Sequence, residues 1–114
     1  MMNLSTTTSG DVTVIALSGN LMGGPDASAL NGKLHELVGM GSTRVVLDLS
    51  AVEFINSSGL GLLIGGATTL RNAGGALKIA GASEKILALI KITKLGSVFE
   101  TFPTIATAAA AFKK

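Results

Sequence analysis

Apolar positions along the chain follow two alternating rhythms, one of strands and one of helices. Val12-Thr13-Val14-Ile15-Ala16-Leu17 is a short β-branched run between Asp11 and Ser18, which predicts a buried strand. Leu4 to Thr8 can pair with it across a hairpin turn at Ser9-Gly10-Asp11. Gly23-Gly24-Pro25-Asp26 then interrupts the pattern, and Ala27, Leu30, Leu34, Leu37 and Val38 recur at helical spacing. They predict a helix from about Asp26 to Val38, with Pro25 suited to its first turn and Gly39 to Gly41 ending it. Val45-Val46-Leu47-Asp48-Leu49 is the most continuous strand signal, the pattern of a central parallel strand covered on both faces.

A loop through Val52 and Phe54 is expected to lead to a second helix. Asn56-Ser57-Ser58 supplies capping chemistry for it, and Leu60, Leu63, Ile64, Ala67 and Leu70 carry it as far as Gly74-Gly75. Ala76 to Ala80 reads as a strand, Ser83-Glu84-Lys85-Ile86 opens a helix ending near Lys91, Val98 to Phe102 forms a last short strand, and Thr104 to Phe112 is an alanine-rich closing helix. The order β-β-α-β-α-β-α-β-α predicts an α/β fold: a mixed, mainly parallel sheet of about five strands with about four helices. Crossovers should be right-handed, and the opening hairpin should supply an antiparallel edge strand. Neither an internal repeat nor a linker divides residues 1–114, which read as one domain.

Composition narrows the chemistry. With 114 residues, 47% of them hydrophobic, the chain can bury one core and little more. The absence of cysteine removes disulfides, thiolate nucleophiles and cysteine-based metal sites. The first eight residues lack the charged start and apolar core of a secretory signal, and the apolar stretch from Leu60 to Ala67 is too short for a bilayer, so a cytoplasmic location without a membrane span is expected. The net charge of +2 is unevenly spread: Lys33 and Arg44 are the only basic residues before Leu60, whereas Arg71, Lys78, Lys85, Lys91, Lys94, Lys113 and Lys114 follow it. These cations are dispersed and the chain has no Tyr or Trp to stack bases, which favours a solvated basic face over direct nucleic-acid binding.

Gly59-x-Gly61-x-x-x-Gly65 superficially matches a dinucleotide fingerprint, but no carboxylate follows the next strand at Ala80-Gly81-Ala82-Ser83 to hold a ribose. Gly61, Gly65 and Gly66 inside a helix cost about 1 kcal/mol each relative to alanine, so a close contact is expected to compensate, either with the sheet or with a partner. The one histidine, His35, falls mid-helix and reads as a surface residue, and the carboxylates show no ligand spacing. No catalytic residue, metal site or cofactor follows from the sequence. What remains is Asn56-Ser57-Ser58-Gly59. It is either an ordinary cap or a place where a phosphate beside free backbone N–H groups could block a partner without unfolding the domain.

Those residues carry a resemblance. From Val45 to Leu49 and from Val52 through Gly61, the chain resembles bacterial anti-sigma factor antagonists of the STAS-domain family. Val14 to Leu21 with Gly19, Leu77 to Ser83, and Ile92 to Phe99 look like the same domain in the same order. The resemblance implies a non-enzymatic partner switch. Unphosphorylated, such a protein binds an anti-sigma factor that is also a serine kinase of GHKL type, which frees the sigma factor. Phosphorylation of the serine that maps onto Ser57, with Ser58 as the alternative, reverses the binding, and a PP2C-type phosphatase restores it. The implied partner surface maps onto Asn20, Leu21, Met22, Gly23 and Gly24 together with Asn56, Ser57, Ser58, Gly59 and Leu60. Two positions depart from the family: Asn56 stands where an aspartate is usual, and Met22-Gly23-Gly24-Pro25 replaces a more polar turn. The alternatives are a phosphorylation-independent STAS scaffold or adaptor in a signalling or transport complex, or a STAS domain that binds a nucleotide or lipid. The oligomeric state stays open.

Overall fold

The run around Val45 lies at the centre of the molecule. The computed structural model describes residues 3–22, 25–92 and 100–112. Among them the chain forms β1 (Asn3–Ser9), β2 (Val12–Leu21), α1 (Pro25–Gly39), β3 (Arg44–Ile55), α2 (Ser57–Asn72), β4 (Ala76–Ala80), α3 (Glu84–Ile92), β5 (Glu100–Phe102) and α4 (Ile105–Ala111). One sheet of order β1-β2-β3-β4-β5 holds every strand. β1 is antiparallel to β2, with Leu4 opposite Leu17 and Thr7 opposite Val14, and the other neighbours are parallel. The α/β class, the antiparallel edge and the central place of β3 match the expectation from sequence.

Period-two alternation on β3 sorts its side chains to two sides. Val45, Leu47 and Leu49 enter a large aliphatic cluster with Leu30, Leu34 and Leu37 of α1, Leu63, Ala67 and Leu70 of α2, and Ile86 and Ile90 of α3. Val46 points the other way, into a smaller cluster with Val12, Val14, Ala80, Ala108 and Ala109, bordered by Phe102 and Phe112. α4 covers that second side. Thr104 starts it with a full capping box, its hydroxyl accepting from the Thr107 N–H while the Thr107 hydroxyl accepts from the Thr104 N–H.

Two expectations need correction and one open alternative is narrowed. Residues 50–55 are strand, not loop: β3 continues to Ile55 beside β2, with Gly19 opposite Val52 and Leu21 opposite Ile55. The pairing slips twice, between Ala16 and Ser18 and between Gly19 and Asn20, and Gly19 takes a left-handed φ of 90° at the slip. Such irregularities break strict alternation, so Val52 and Ile55 are buried while Glu53 and Phe54 between them are exposed, and the segment no longer looks like a strand in sequence. β2 runs through Leu21, so Asn20 belongs to the strand.

The second point narrows the choice between sheet and partner as the close contact of the α2 glycines. A side chain at Gly61 or Gly65 would meet nothing within 4 Å, so these two do not pack on the sheet. The close contacts lie at Gly59, against the Leu21 carbonyl, and at Gly66, against the Leu34 side chain.

Third, Lys78 is not part of a solvated basic face. It is 7% exposed, with its Nζ 2.7 Å from Glu100 Oε1 and 4.8 Å from the centroid of the Phe112 ring. Lys85 and Lys91 are exposed, whereas Lys94, Lys113 and Lys114 lie outside the described residues, as do Val98 and Phe99 of the expected last strand.

Candidate functional site

Two backbone segments meet at the carboxyl end of β2 and the amino end of α2, and Asn56 joins them. Its backbone is extended, with φ −99° and ψ −178°, and its Oδ1 accepts the Gly59 N–H at 2.8 Å, which caps α2. Its Nδ2 donates to the Met22 carbonyl at 3.3 Å, and its own N–H donates to the Leu21 carbonyl at 3.4 Å. Asn56 also accepts the first helical bond, from the Leu60 N–H at 2.9 Å. Gly59 lets the helix sit this close, because a Cβ there would run into the Leu21 carbonyl.

This geometry sorts the candidate surface residues. Ser57 and Ser58, in the first turn of α2, are exposed. Met22 is 44% exposed, and its carbonyl is bonded to Asn56, the residue before Ser57. Leu21 and Leu60 are core residues, 0% and 5% exposed, so their side chains support the surface from beneath and do not face outward. Gly59 is buried against β2, Asn20 is half-buried, and Gly23 and Gly24 lie outside the described residues.

The electrostatics at this end suit an anion. α2 runs for 16 residues and its first turn contains no acidic side chain, while Arg71 occupies its last turn. The partial positive charge at its start is therefore not offset by a carboxylate of that turn. The only histidine, His35, is exposed on α1, and no hydrogen bond joins it to Ser57 or Ser58. Among the described residues, no group of three or more histidine, cysteine or acidic side chains could hold a metal ion.

Next to this end lies an apolar groove of about 340 Å³ between the end of β3 and α3. Phe54, Ile55, Ile86, Leu89 and Ile92 line it together with Glu53 and Lys85. Sequence reasoning did not single it out. The available signal was Phe54, one of only four aromatic residues in the chain and set two places before the cap.

Residues 3–108 match the family model described as the STAS domain, nearly the whole chain. The protein belongs to the STAS domain family. This STAS domain is 31% identical over 103 residues to BtrV of Bordetella bronchiseptica, a protein named for anti-sigma factor antagonism, with 90% of this chain and 89% of that protein aligned. It superposes with a TM-score of 0.86 on the crystal structure of an anti-sigma factor antagonist from Mycobacterium paratuberculosis, 26% identical, over 100% of this chain and 96% of that one. The phosphorylated form of the Bacillus cell fate determinant SpoIIAA, at 20% identity, shares the fold with a TM-score of 0.73 over 98% of this chain and 99% of that one. No helix among the described residues of the STAS domain is long and apolar enough to cross a membrane.

Proposed function

We propose that this STAS domain is an anti-sigma factor antagonist acting as a cytoplasmic partner switch, with Ser57 as its phosphoacceptor and Ser58 as the neighbouring alternative. Unphosphorylated, it binds an anti-sigma factor of the GHKL serine-kinase type, and the sigma factor is released. The kinase then phosphorylates Ser57, and a PP2C-type phosphatase resets the switch. The domain is substrate and binding partner, not catalyst.

The observation that supports this reading best is the exposed Ser57 on a first turn without carboxylates, over a core that keeps Leu21, Leu60 and Leu63 buried. A phosphate carries close to two negative charges and three acceptor oxygens. At a helix start the free protein tolerates it, whereas a partner lying flat on Ser57 and Met22 would have to desolvate it. The neutral Asn56 makes the phosphate the dominant negative charge of this corner.

Incubation with the cognate kinase and ATP, followed by mass-spectrometric mapping, tests the switch. Phosphate on Ser57 is expected, and a chain left unmodified at both serines removes the mechanism. Ser57→Asp should weaken kinase binding by roughly tenfold or more through added charge at the contact, while Ser57→Ala should still bind. The apolar groove beside Phe54 favours a second reading, a phosphorylation-independent adaptor docking through β3 and α3. Binding that survives Ser57→Asp but is lost in Phe54→Ala selects the adaptor.

A further inference from the structure

We propose that Asn56 is a positioning residue whose side-chain amide locks Met22 to the start of α2, so that two segments 34 residues apart present one rigid partner surface; the part concerning the partner rests on the function proposed above. The argument is one of donors and acceptors. Toward its own helix Asn56 must accept, and its Oδ1 does so from Gly59 at 2.8 Å. Toward the other segment it must donate, and its Nδ2 does so to the Met22 carbonyl at 3.3 Å. An amide side chain can do both at once, whereas an ionised carboxylate only accepts and would set an oxygen against the Met22 carbonyl oxygen.

The two bonds have different tasks. β2 needs no help at Leu21, whose carbonyl already receives the Asn56 N–H and lies under Gly59, and whose side chain is fully buried. Met22 lies one residue past the strand, with its side chain 44% exposed. The Nδ2 bond therefore orders the exposed member of the pair, not the core. A partner touching Met22 and Ser57 together meets a surface already in place, and binding costs less ordering of side chain and turn. Aspartate at this position would keep the cap and lose the lock, so the residue usual in the family is expected to perform worse in this chain.

Asn56→Asp and Asn56→Ser test this: both retain a capping acceptor, the carboxylate has no donor for Met22, the serine hydroxyl sits one bond short of the Asn56 Nδ2 that reaches the Met22 carbonyl at 3.3 Å, and the serine adds no charge. In the free full-length protein, NMR should show the Gly59 amide still protected in both variants and the melting temperature little changed. The Met22 backbone and its methyl should gain mobility, read by NMR relaxation, because the bond lost is the one to the Met22 carbonyl. Titration with the anti-sigma kinase should then show affinity reduced about fivefold in both variants, the effect of one neutral hydrogen bond. Wild-type order at Met22 in both variants overturns the proposal, as does loss of Gly59 protection along with Met22 order, which would make Asn56 a cap alone. Release of Met22 with unchanged kinase affinity overturns the part concerning the partner surface. If the wild-type protein does not bind the kinase, the functional reading fails, while the Met22 signature in the free protein still decides the lock.

Discussion

The two sides of the sheet are covered by unequal amounts of helix. On one side α1, α2 and α3, with 15, 16 and 9 residues, bury a continuous aliphatic cluster that includes Ile15, Leu17, Leu47, Leu49 and Leu63. On the other, seven-residue α4 covers Val12, Val14, Val46 and Ala80 with little more than Ala108 and Ala109. The thin side also holds Lys78, buried between Glu100 and the Phe112 ring. Hydrophobic stabilisation scales with apolar area removed from water, so most of it comes from the side that carries α2. The candidate switch sits at the end of the better-anchored helix. A charge added at Ser57 therefore acts on a platform held by Leu60, Leu63, Ala67 and Leu70, and changes the surface without loosening the fold.

Four substitutions test that inequality. Leu63→Ala, at a site with 0% exposure, should cost about 3 kcal/mol, a large share of the total for a domain of this size, read by urea unfolding. A loss under about 1 kcal/mol would contradict a dominant α1–α3 side. Thr104→Ala breaks the capping box of α4 and should cost about 1 kcal/mol. Hydrogen exchange should locate that loss in α4 while the amides of α2 keep their protection. If α2 loosens equally, the two sides are one cooperative unit.

Smaller effects sharpen the comparison. Gly61→Ala, on the open side of α2, should stabilise the protein by about 0.5–1 kcal/mol through helix propensity, seen as a higher melting temperature. Should the same variant bind the proposed partner less tightly, the outward side of α2 belongs to the interface. Lys78→Met should change stability by less than about 1 kcal/mol, because it removes a buried charge while Glu100, with a side chain 68% exposed, remains hydrated. A larger loss in urea unfolding would mean that the cation holds α4 in place.

The site was legible to different depths. Asn56 as a cap and Ser57 and Ser58 as exposed first-turn residues follow from local chemistry, since capping depends on backbone groups within three residues. The outward direction of Gly61 and Gly65 was also implicit, because a stripe through Leu60, Leu63, Ala67 and Leu70 puts them on the opposite side. Leu60 belongs to that stripe, but Leu21 could not be separated from exposed Met22 by position in a motif. Its burial depends on how far α2 sinks against β2, and the contact of Gly59 with the Leu21 carbonyl decides that. Nor could the bond from Asn56 to Met22 be read locally, because its two ends lie 34 residues apart.

The sequence by itself determined the element order, the antiparallel hairpin, the central strand and the capped start of α2. All of these rest on periodicity, turn residues and hydrogen bonds within a few positions. Only the tertiary structure decided the extension of β3 to Ile55, the burial of Lys78 and the joining of Met22 to Ser57 through Asn56. Each depends on a register or contact between distant segments. A bulge, a neighbouring strand's carboxylate or a carbonyl across the sheet leaves no periodic trace in the chain that meets it.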